Sequence, residues 1–205
     1  MCGMRAGPGA IDHVAIHHDL TLSTIAGIPA VGMCGSGVLS LVASLKRAGM
    51  INARGRMQMG HRLIRERDSS RELVLHEDVA PGALPVVFTQ NDVRAVQLAK
   101  AAIRTGLDIL LSDAGISSQD LDRIVMAGAF GRFVDIEDAF LIGLLPELPR
   151  ERVVQVGNSA GVGACRLVAC ASARREIDAM ATRVRYLELA KDRSFQKTFV
   201  ARSML

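Results

Sequence analysis

Apolar positions along this chain change their period several times, and each change predicts an element. Val14 and Ile16 alternate with other residues from His13 to His17, and Leu20 to Ile25 follow after His18 and Asp19, which predicts a hairpin whose histidines face solvent. Gly32-Met-Cys-Gly-Ser-Gly37 then feeds an apolar stretch closed by Lys46, Arg47 and Gly49, the start and stop signals of a helix. Leu63–Ile64, Leu73–Leu75 and Val86–Phe88 are expected as three short strands within an inserted hairpin region spanning 50–88. Thr89 caps a long helix running to about Ser112, with Asp92 in its first turn and an apolar stripe of Val93, Val96, Leu98, Ala99, Ala102, Ile103, Leu107 and Leu110.

The carboxyl-terminal half repeats one theme. Ile124, Val125 and Met126 form a continuous apolar run, expected to be a central strand covered on both faces, and it stops in Ala127, Gly128, Ala129 and Gly131. Asp135 to Asp138 cap a helix directed at Gly143, which Pro146 and Pro149 terminate. Val153 to Val156 read as a second buried strand, followed by the small-residue turn Gly157–Ala164 and a helix to about Ala173. Arg185–Leu189 are expected as a last strand, and Ser194 caps a short helix with Phe195 and Phe199 turned inward and the tail docked. Strand, small-residue turn and helix in succession predict an α/β fold with a largely parallel sheet and right-handed crossovers.

With 205 residues, 49% of them apolar, the chain can bury one substantial core. Lys and Arg number 25 against 21 Asp and Glu, and the basic residues are scattered apart from a weak cluster at Arg54, Arg56, Arg62, Arg65 and Arg67. With one Tyr and no Trp, no nucleic-acid platform is expected. Cys2, Cys34, Cys165 and Cys170 show no metal-ligand spacing and read as reduced, cytoplasmic thiols. No run approaches the length of a membrane span, so neither membrane insertion nor secretion is expected.

The chemistry must therefore come from the turns. Those at 32–37, 128–131 and 157–163 each stand at a helix start or a strand end, where free main-chain amides suit a phosphate or nucleotide. Each also has a plain reading as a tight turn, and neither the P-loop nor the dinucleotide fingerprint is present. Cys34 at a helix start invites a nucleophile, yet no base accompanies it and a small buried residue is the preferred reading. Asp135, Glu137 and Asp138 read as caps, so no catalytic residue is assigned.

Cys2-Gly-Met-Arg-Ala6, Gly32-Met-Cys-Gly-Ser-Gly37, Phe88-Thr-Gln-Asn-Asp92 with Gln97-Leu-Ala-Lys100, Ala127-Gly-Ala-Phe-Gly131, Ile142-Gly-Leu-Leu-Pro146 and Gly157-Asn-Ser-Ala-Gly161 together resemble the carboxyl-terminal domain of the reductive activators of corrinoid-dependent methyltransferases, collinearly to about Asp192. The resemblance implies a partial actin-like, ribonuclease H-like ATPase lobe, a mixed sheet with flanking helices, residues 1–205 forming a second-lobe portion. It also implies ATP with Mg2+, held around Gly35, Ser36, Gly37, Gly128, Ala129, Phe130, Gly131 and Asn158, and a corrinoid protein partner returned from Co(II) to Co(I). A [2Fe-2S] cluster is expected only in an amino-terminal part that, like the first lobe and its Asp-x-Gly hairpins, is not represented in these residues, and that part or a separate redox protein is the further partner implied. A truncated lobe of this kind is expected to self-associate. The alternative is a noncatalytic module that docks a corrinoid protein.

Overall fold

Why the chain folds around its first helix is visible at Gly37. The computed structural model describes residues 2–77 and 85–205, except for the side chains of Ala129 and Phe130. Strand β1 (Ala10–Ile16) pairs antiparallel with β2 (Leu20–Thr24), as the alternation predicts, and parallel with the short β3 (Gly32–Met33). Helix α1 (Gly35–Arg47) lies directly on β1. A Cβ on Gly37 would stand 2.2 Å from the Ile11 carbonyl oxygen, so only glycine permits this approach. The Ser40 hydroxyl donates to Val14 O at 3.0 Å and accepts from Val14 N at 3.1 Å, and the Ser44 hydroxyl donates to the same carbonyl at 2.8 Å.

Strands β4 (Ile64–Arg67), β5 (Ser70–His76) and β6 (Val86–Thr89) form a separate antiparallel sheet. Helix α2 (Gln90–Ala114) leaves it with the full capping box: Thr89 Oγ1 accepts from Asp92 N, and the Asp92 carboxylate accepts from Thr89 N. Ile11, Leu41, Leu45, Met57, Leu73 and Val93 are wholly buried between these parts and make the core. On α2 the inward face is not the expected stripe. Leu98, Ile103 and Leu110 are exposed, whereas Gln97, Lys100 and Thr105 are buried beside Val93, Val96 and Ile109.

Strand β7 (Ile124–Ala127) pairs parallel with β8 (Val153–Gly157), and among the described residues the two form a sheet of their own. Between them run α3 (Gly128–Phe133) and α4 (Ile136–Leu141), the latter capped by Asp135 accepting from Asp138 N. The two strands were expected to be covered on both faces, and they are not: Val125 is 54% exposed, and Val154 and Val156 lie open as well. Among the described residues parallel ladders are confined to β1–β3 and β7–β8, with one isolated parallel bridge between Gly3 and Met33, so three small sheets stand where a single, largely parallel one was expected.

The helix expected to run to Ala173 ends earlier. Cys170 has extended backbone (φ −133°, ψ 116°) and separates α5 (Ser159–Ala169) from α6 (Ala171–Ala181). No strand forms at Arg185–Leu189; Tyr186 is exposed there and no neighbouring strand offers it a ladder. Helix α7 (Phe195–Arg202) does dock, with Phe195 and Phe199 stacked at 5.9 Å and its following residues anchored by Gln97 Nε2 donating to Ser203 O at 2.8 Å and Leu205 N donating to Ala53 O at 2.9 Å. Ser194 does not cap it; the Ser194 hydroxyl donates to Asp192 instead.

Candidate functional site

Parallel pairing puts two small-residue turns side by side. Ala127 is in register with Gly157, so the carboxyl ends of β7 and β8 meet, and the chain leaves them at Gly128 and Asn158. Gly128 has φ +87° and nothing within 4 Å of where a Cβ would project, which leaves its main chain open on one side. Gly131 is different: a Cβ there would press on Met126 at 3.2 Å, so this glycine closes the turn. Its carbonyl accepts from Gln155 Nε2 at 2.7 Å, and Val134 O accepts from the same amide at 2.8 Å, which ties α3 to β8. Asn158 Oδ1 accepts from Gly161 N at 3.0 Å and already caps α5. The side chains expected at Ala129 and Phe130 lie outside the described residues.

A cleft of about 850 Å3 opens between β1–α1 on one side and α3–β8 on the other, walled by Asp12, His13, Cys34, Ser36, Val134 and Gln155. Ser36, in the first turn of α1, is the expected site residue that faces it. Asp12 Oδ1 is buried in that wall with no partner among the described residues, an uncommon state for a carboxylate oxygen. Gly35 and Gly37 are placed differently. Gly35 borders an apolar cavity of about 290 Å3 with Val38, Phe88, Val96 and Leu144, and Gly37 is spent on packing against Ile11. Ser36 is what the Gly35–Gly37 turn adds to the described cleft wall, and Gly37 also serves the packing of α1 on β1.

Asp12 and Gln155 escaped the sequence reading. Each is a polar residue within an apolar strand, and that interruption was the available signal. Cys34 is 3% exposed and its thiol donates to Ile11 O at 3.4 Å, so it is a packed residue. Cys170 has its thiol pulled below the usual range by the Ser172 hydroxyl and by the first amides of α6. Among the described residues no three His, Cys, Asp or Glu side chains gather as a metal site. No described helix is long and apolar enough to cross a membrane.

Similarity to known proteins places this mixed α/β lobe and its open cleft in the ASKHA, or actin-like, class. The family described as the C-terminal domain of RACo, the ASKHA domain, matches residues 1–205, and the chain belongs to that family. It is 36% identical over 213 residues to the corrinoid activation enzyme RamQ of Eubacterium limosum, covering 98% of this chain and 36% of that protein. A [Co(II) methylated amine-specific corrinoid protein] reductase of Methanosarcina barkeri is 32% identical over 134 residues, 65% of this chain and 21% of that one. The solved structure of a reductive activator for corrinoid,iron-sulfur protein superposes with a TM-score of 0.92 at 36% identity, covering all of this chain and 34% of the other. The chain thus spans about a third of the length of the relatives it matches end to end.

Proposed function

We propose that this chain is the nucleotide-binding portion of an ATP-dependent reductive activator that returns Co(II) corrinoid proteins to Co(I). What carries the reading is the pairing of Ala127 with Gly157, which brings the open main chain of Gly128 beside the start of α5. A flat base can lie on Gly128. Its phosphates, carried with Mg2+ to offset the Asp12 carboxylate, would reach past α3 to the cleft lined by Ser36 and Asp12, whose described wall does not itself include Gly128 or Asn158. Mg2+ would arrive on the nucleotide phosphates, as that ion usually travels.

The iron-sulfur cluster, the first lobe and the residue that orients the hydrolytic water would be supplied by segments that correspond to the unmatched two thirds of the relatives. Exposed Val125, Val154 and Val156 on β7 and β8 offer such segments an apolar landing surface, and Val162, Ile177 and Met180 on α5 and α6 are exposed as well. The same surface favours the second reading, a docking module for a corrinoid protein without ATP turnover. Calorimetry with ATP and magnesium, set beside a pull-down with a corrinoid protein, separates the two. Saturable nucleotide heat supports the first; corrinoid-protein capture without it leaves the second standing and removes the first.

A further inference from the structure

A second cavity, of about 450 Å3, lies where α1, the end of α4, α2 and α7 converge, and it shares no lining residue with the cleft. Four cations line it: Lys46, Lys100, Arg104 and Arg202. Arg104 and Arg202 both pair with Asp108, at 2.9 and 2.6 Å. Neither lysine has a carboxylate partner within ion-pair distance among the described residues. Glu147 is the acidic side chain in the wall, and Leu205, the last residue of the sequence, also lines it without its terminal carboxylate pairing with either lysine. Lys46 Nζ donates to Leu141 O at 2.7 Å, and Lys100 Nζ donates to Met204 O.

An ammonium has three N–H donors, so each lysine satisfies one with a neutral carbonyl and turns the others to the cavity. Lys100 is 4% exposed. A buried charge compensated by a carbonyl alone is poorly solvated. Burial, reinforced by the facing Lys46, Arg104 and Arg202, pulls the Lys100 ammonium down to about 8. A chain that needed only packing here would place an apolar residue at position 100; a cavity large enough for a small ligand and lined by two unpaired ammoniums calls for an anion.

We propose that this cavity binds a small oxyanion of the phosphate class, with Lys46 and Lys100 as its direct ligands and Arg104 and Arg202, held by Asp108, as a supporting positive wall. The site is independent of the nucleotide reading. Binding drives proton uptake, because the anion restores the charged form of Lys100.

The test is calorimetric titration of the full chain with sodium sulfate, a tetrahedral dianion that does not titrate in this range, at ionic strength fixed with sodium chloride. It is run at pH 8 in two buffers of different ionisation heat. One saturable site with proton uptake is expected, undisturbed by adenosine, which carries no phosphate of its own. Lys46→Gln, at a half-buried position, weakens it by at least about tenfold, the loss of one charge-assisted bond. Lys100→Arg keeps binding and loses the proton uptake. Arg94→Gln, in an exposed arginine patch elsewhere, changes nothing. The proposal is overturned by the absence of saturable heat, by equal binding in Lys46→Gln, by uptake that persists in Lys100→Arg, by competition from adenosine, or by loss in Arg94→Gln, which would mark diffuse surface attraction.

Discussion

Replacing Gly37 with alanine sets two opposed effects against each other. In a helix interior alanine is favoured over glycine by about 1 kcal/mol, so propensity alone predicts a more stable protein. Against it stands the new Cβ, 2.2 Å from Ile11 O and 2.9 Å from Ile11 C, both main-chain atoms that cannot rotate away. Restoring a contact of about 3.0 Å requires α1 to lift from β1 by roughly 0.8 Å, an overpacking that costs about 1–3 kcal/mol. The same displacement stretches the Ser40 and Ser44 bonds to Val14, each worth about 1 kcal/mol. The clash wins, with a net loss of about 1–3 kcal/mol. For a chain of this size that lowers Tm by about 3–10 °C. Thermal denaturation followed by circular dichroism measures it. An unchanged or raised Tm would refute the packing role, and loss of nucleotide binding at unchanged Tm would return Gly37 to the ligand site.

Other consequences can be checked separately. Thr89→Ala removes the capping box of α2 and should lower stability by about 1–2 kcal/mol in urea denaturation; an unchanged midpoint would mean the cap is redundant. Because Lys100 titrates near 8 when folded and near its ordinary 10.5 when unfolded, the unfolded chain holds more protons between those values, so stability should rise with pH across that window. In Lys100→Met that rise should be absent from the unfolding midpoints; an identical pH profile would count against the buried ammonium. Iodoacetamide near neutral pH should modify Cys170 at least about tenfold faster than Cys34, since thiolate fraction and access both favour it; peptide mapping that found Cys34 first would reopen its reading as a nucleophile. Exposed Val125 and Val154 should drive self-association, and Val125→Lys should reduce it in sedimentation velocity; a monomeric parent at high concentration would defeat this reasoning.

Local signals told most of the story where neighbours in sequence settle the structure. The hairpin at His13, the cap at Thr89, the cap at Asp135 and the three strands between Ile64 and Thr89 follow from local apolar runs and turn chemistry within a few residues. Burial was less legible. An apolar run such as Ile124–Met126 indicates a strand but cannot reveal how many neighbours will cover it. On α2, apolar residues were expected to face inward, yet Gln97 and Lys100 do so, because carbonyls at Ser203 and Met204 a hundred residues away accept their protons. The cleft was only partly foreseen. Ser36 could be named from its turn, whereas Asp12 and Gln155 acquire meaning from strands that fold distant positions into one wall.

The paired hydroxyls of Ser40 and Ser44 have an effect that reaches beyond α1. By occupying both polar groups of Val14, they act as a substitute strand along the flank of β1 beyond its short pairing with β3, so no foreign backbone can zip onto it there. The outer flanks of β7 and β8 have no such guard among the described residues. Any extended segment in search of a ladder, whether from elsewhere in the same polypeptide or from another molecule, is thereby kept off this flank of β1, whereas the outer flanks of β7 and β8 stay open to it.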